Sequence, residues 1–118
     1  MAITKEQAKA DLEKVMSQFG TIGAGNENDR AAQLVMQTLR VLERRLGDPT
    51  GIKMLYINPE ASKLIPPTAY EVAQQYIGGT IDETQARERL QDALRQYGEV
   101  FQEMGIKPQG SAALFGKS

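Results

Sequence analysis

Asp82–Met104, DETQARERLQDALRQYGEVFQEM, is the stretch whose reading decides the fold class. Its apolar positions, Ala86, Leu90, Ala93, Tyr97, Val100 and Met104, are spaced four, three, four, three and four residues apart. That spacing is the seam of an amphipathic helix, widened on one side by Leu94 and Phe101. Asp82 with Gln85 reads as a capping box, and Ile81 is placed to staple onto Ala86. Gly105-Ile106-Lys107-Pro108 reads as the stop: a glycine free to take a positive φ, an apolar residue, then a proline.

Working outward, Thr68 with Glu71 predicts a second box opening a helix with a stripe at Ala69, Val72, Ala73, Tyr76 and Ile77. Gly78-Gly79 ends it, so 68–104 is expected to be a tight helical hairpin. The short arm does not reach Tyr97, Val100, Phe101 and Met104. Those four must be covered by the first two helices, by the 52–57 run, or by another chain. Thr4 with Gln7 opens a helix carrying Ala8, Leu12, Val15, Met16 and Phe19, with Ile3 as its staple. Asn26 or Asn28 caps a helix with a seam at Ala32, Val35, Leu39, Leu42 and Leu46, broadened by Leu34 and Val41.

The stretch between these helices is less regular. Gly47-Asp48-Pro49 ends the second helix, and IKMLYI at 52–57 is a short run rich in β-formers. It reads as a lone strand, as an extended segment lying on the helices, or as part of a helix. With no second strand in the sequence, a strand that pairs with a partner or a second copy is the sharper alternative. Asn58-Pro59-Glu60 then announces a short helix, with an N-cap, a proline at the first helical position and an early acid. The fold class expected is all-α: an irregular bundle of about four helices (about 4–19, 28–46, 68–77 and 82–104). An extended crossover, 47–67, joins them. The domain division expected is one helical domain, 1–108, and a flexible tail, 109–118, in which Leu114 and Phe115 either pack back or meet a partner.

Composition removes much chemistry. The chain has 118 residues, 41% apolar and 25% charged, with a net charge of −1. One domain is expected, with no general attraction to nucleic acid. It contains no Cys and no His. Disulfides, thiolate catalysis and cysteine-rich zinc sites are therefore excluded, as are Ser-His and Cys-His nucleophile systems. Glycine-rich Gly20–Asn28 has the spacing GxxGxG, with no strand before it, and Gly110–Ser118 has five residues between its glycines where a phosphate-binding loop needs four. Glu99 and Glu103 lack the histidine that carboxylate-bridged metal bundles use. Arg40, Arg44 and Arg45 suit the negative end of a helix dipole and, as a small basic cluster, leave weak nucleic-acid binding as a third-ranked function. Catalytic, cofactor and metal sites are all expected to be none. The N-terminal segment has no apolar core of the kind a signal peptide needs, and no apolar run approaches a membrane span. A cytoplasmic or virion location is expected.

The functional expectation is a non-catalytic interaction or assembly protein, such as a small subunit of a phage virion. Its partner would be another protein or a second copy of itself, with no membrane, nucleic acid or small-molecule substrate indicated. The expected contact residues are Tyr97, Val100, Phe101, Met104, Leu114 and Phe115. Self-association by the Asp82–Met104 seam alone is disfavoured, because it spans fewer than three heptads. The alternative starts from the hairpin QQYIGGTIDETQARERL. It is similar in style to the helical hairpin of small antitoxins that inhibit Fic-domain AMP-transferases. Their inhibitory motif is Ser or Thr, three residues, Glu, then Gly or Asn. Thr84 and Glu88 match, and Arg89 departs at the last position. The similarity covers under a fifth of the chain, and it implies a regulator that blocks an enzyme.

Overall fold

The computed structural model describes residues 3–17 and 26–106. They form six helices: α1 Lys5–Ser17, α2 Asn26–Arg44, α3 Pro49–Ile57, α4 Pro59–Ser62, α5 Pro67–Ile77 and α6 Glu83–Glu103. No strand occurs among the described residues, and the fold is all-α. The Gly20–Asn28 connector lies mostly outside them, and Gly110–Ser118 entirely so.

α6 begins and ends where its local signals place it. Asp82 Oδ1 accepts the Gln85 N–H at 2.8 Å, and Gln85 Oε1 accepts the Asp82 N–H at 3.1 Å. At the other end the Ile106 N–H donates to the Phe101 carbonyl at 2.9 Å, across Gly105 at φ +75°. This turn satisfies carbonyls that the helix leaves open, and it folds Ile106 back into the core. The same stop operates after α5, where the Thr80 N–H donates to the Gln75 carbonyl at 2.8 Å. The α5–α6 hairpin follows from these two ends. α1 starts with its own box: the Gln7 N–H meets Thr4 Oγ1 at 3.1 Å, and the Thr4 N–H meets Gln7 Oε1 at 2.9 Å.

Two expectations fail. The crossover is not extended: residues 49–57 are helical, and so are 59–62, the short helix that Asn58-Pro59-Glu60 announces. Asp48 is the reason: its Oδ1 accepts the Gly51 N–H at 3.2 Å with Pro49 at the first helical position. Asp48-Pro49 repeats the grammar of Asn58-Pro59, where Asn58 Oδ1 accepts from Glu60 and Ala61 at 2.9 and 3.1 Å. A lone strand would leave its backbone groups unpaired, whereas a helix pairs them within the segment. The Thr68–Glu71 box is also absent. α5 starts one residue earlier, at Pro67, and its N-cap Pro66 offers no side-chain acceptor. The Thr68 N–H instead donates to Asp11 Oδ2 of α1 at 3.2 Å.

α6 lies at the centre, packed against α5, α1 and α2, while α3 rests on α4 and α5 at the periphery. Its buried side chains, Ala86, Leu90, Ala93, Tyr97, Val100 and Phe101, pack in a core shared with Leu12 and Val15 of α1 and Val72 of α5. From α2 come Val35, Met36, Leu39 and Leu42. The α2 seam broadens toward Met36, which is buried, rather than toward Leu34, which is 41% exposed. Among the described residues no helix is long and apolar enough to cross a membrane.

Candidate functional site

The sequence-derived contact residues separate into three groups. Tyr97, Val100 and Phe101 are at most 2% exposed, and the chain itself covers them, so they present no surface to a partner. α1 packs on α6 beside them, its Asp11 bonded to Tyr97. The N-terminal end of α1 is tied to the C-terminal half of α6 by the Lys5–Glu103 ion pair. The Ile3 N–H donates to Asp92 Oδ2 at 3.1 Å farther along. Met104, at the C-cap of α6, stays 41% exposed. Leu114 and Phe115 lie outside the described residues.

The most concentrated polar contact joins three helices rather than forming a site. Asp11 of α1, almost fully buried, uses Oδ2 to accept the Tyr97 hydroxyl at 2.6 Å and the Thr68 N–H at 3.2 Å. Burial, followed by the neighbouring Asp11 carboxylate, pushes the Tyr97 hydroxyl far above its ordinary value and keeps it a proton donor. Asp11 thus does for α5 what Pro66 cannot do, capping the helix from another part of the chain. All three groups are engaged with one another across the helices.

The remaining polar candidates are dispersed or engaged. Arg45 donates to the Gly51 carbonyl at 3.1 Å, so it ties α2 to α3 instead of joining a basic patch. Arg40 is half-buried, and Arg44 is exposed. Tyr76 accepts the Gly47 N–H at 2.7 Å. Tyr56 and Tyr70 pack with ring centroids 4.4 Å apart and planes tilted by 32°. Partial burial, then the adjacent Tyr70, raises the Tyr56 hydroxyl. No group of three or more His, Cys, Asp or Glu side chains capable of holding a metal occurs among the described residues. Thr84 and Glu88 of the antitoxin-like pattern are both exposed on α6.

The surface that stands out is the outer side of α3. Of its residues Ile52 to Ile57, five are apolar and Ile52 alone is fully buried. Met54 is 63% exposed and Ile57 66%, one turn apart on the same face, while Leu55 and Tyr56 are half-buried. A helix that is apolar around most of its circumference normally sits inside a protein. Among the described residues the other exposed large apolar side chains, Leu34 and Met104, stand singly on different helices, as ordinary surfaces allow. Sequence reasoning gave the run a partner only as a pairing strand, and did not single out Met54 and Ile57. Read as a helix begun by Asp48-Pro49, the run leaves Lys53 as its only polar position and exposes the surplus.

Comparison of the chain with protein families, with curated proteins and with solved structures gives no match.

Proposed function

We propose that this chain is a non-catalytic binding protein that seats a protein partner on the outer face of α3, as a small assembly or interaction subunit does. A component of a larger particle such as a phage virion is one setting for that role. The observation that carries the reading is the apolar surplus of α3, with Met54 and Ile57 adjacent and exposed on a helix that buries only Ile52 completely. Apolar surface removed from water stabilises a complex by about 25 cal/mol per Å² before ordering costs are counted. Two large adjacent side chains are the natural centre of such a contact.

A photo-crosslinking residue placed at Met54 tests the reading in cells. It is expected to give one discrete adduct of higher mass, while the same residue at exposed Lys9 of α1 gives none. Equal labelling at both positions, or none at Met54, would refute the reading. Crosslinking at Thr84 and Glu88 in place of Met54, to an enzyme whose activity falls, would transfer the role to the hairpin and make the chain an inhibitor.

A further inference from the structure

We infer that the occupant of the α3 face is a second copy of this chain, related to the first by a two-fold axis through the apolar patch. The inference rests on the binding role just proposed and gives that role its partner. A two-fold interface is self-complementary, so what lies on one side of its centre must suit what lies on the other. The α3–α4 surface meets that condition. Exposed Lys53 precedes the Met54–Ile57 pair, and exposed Glu60 follows it. Among the described residues neither charge forms an ion pair within its own chain.

Antiparallel apposition of two copies buries Ile57 near the axis, with Met54 beside it. It carries Lys53 of each copy toward Glu60 of the other, so two ion pairs flank one apolar centre. Lys63 lies one turn beyond Glu60 and is exposed too. A slide that set it against Lys53 would oppose like charges, which favours the Lys53–Glu60 register. The net charge of −1 imposes no long-range repulsion between copies. A patch centred on two side chains is small, which makes the association concentration-dependent rather than permanent.

The test is the solution mass of the full chain by sedimentation or light scattering, from roughly 5 to 500 μM, the range suited to a small interface. The mass should rise from one chain, 13.0 kDa, toward twice that value. Met54→Gln/Ile57→Gln should remain at one chain throughout, with an unchanged helical spectrum. Lys53→Glu and Glu60→Lys should each weaken association by roughly three- to tenfold, and the two reversals combined should restore it. A wild-type chain that stays at 13.0 kDa across the range overturns the inference, as does a dimer indifferent to Met54→Gln/Ile57→Gln. Single charge reversals without effect would overturn the two-fold register. A Met54 crosslink to a different protein would also overturn the inference while leaving the binding role intact. Absence of any crosslink would remove both.

Discussion

α6 opens on Asp82 and gathers its apolar side chains into one seam, with Ala86, Leu90, Ala93, Tyr97, Val100 and Phe101 all buried. α3 opens on Asp48 and spreads five apolar residues around its axis, with Ile52 alone buried. Both helices are capped by an aspartate, yet their apolar residues meet opposite fates. A seam that alternates with polar residues says which face a helix buries. An apolar run without a polar face gives no such direction, because the neighbours that cover it are chosen elsewhere in the chain. Burying a side chain the size of Met or Ile stabilises by roughly 1.5–3 kcal/mol. α6 realises that gain within the monomer, whereas Met54 and Ile57 leave much of it unused.

The largest effect is expected where α6 is most completely enclosed. Phe101→Ala removes a fully buried ring and should cost roughly 3–5 kcal/mol in denaturant unfolding. Stability close to wild type would mean that the end of the seam is surface, and the contrast with α3 would fail. Next comes the tie that binds α1 to that end. Asp11→Ala leaves the Tyr97 hydroxyl and the Thr68 N–H without their acceptor, and should cost about 2–4 kcal/mol by the same measurement. A loss below about 0.5 kcal/mol, the scale of ordinary surface substitutions, would show that α1 does not depend on this bond.

Legibility in the sequence divides along the same line. The ends of α6, the stop after α5 and the start of α1 rest on contacts between residues at most five apart, and the sequence displays them directly. Gly47-Asp48-Pro49 was legible too, but it serves twice: it ends α2 and starts α3, and reading only the stop left the 52–57 run unassigned. Gly51 disguises the helix further, because glycine is a weak helix former. A Cβ there would lie 2.5 Å from Asp48 Oδ2, so the cap itself favours the glycine. The start of α5 had one local sign, Pro67 at its first position, but its acceptor, Asp11, is 57 residues away from Thr68. The candidate site was hidden for the corresponding reason. Exposure of Met54 and Ile57 depends on α3 lying at the edge, a consequence of how α1, α2 and α5 surround α6.

A smaller effect sharpens the same comparison through pH. Burial and then Asp11 raise the Tyr97 hydroxyl in the folded chain above its unfolded value of about 10. The native chain therefore keeps a proton that the unfolded chain loses. Tyr97 contributes its full stability below about pH 10, and this contribution falls by about 1.4 kcal/mol per pH unit as pH rises beyond it. Tyr97→Phe lacks that dependence. Its unfolding free energy should start below wild type and converge with it between about pH 10 and 11. Parallel curves would place the hydroxyl in a hydrated setting, unlike the rest of the α6 seam.

The most direct test of the central claim, that the outer face of α3 is surplus to the monomer's own fold, is the unfolding free energy of Met54→Gln/Ile57→Gln. It is measured in denaturant at a concentration low enough to keep every chain single. Gln is a good helix former, so α3 itself is preserved. The expected result is a value within about 0.5 kcal/mol of wild type, the scale of ordinary surface substitutions. A loss of about 2 kcal/mol or more, the scale of core truncation, would place these side chains in the core and contradict the account.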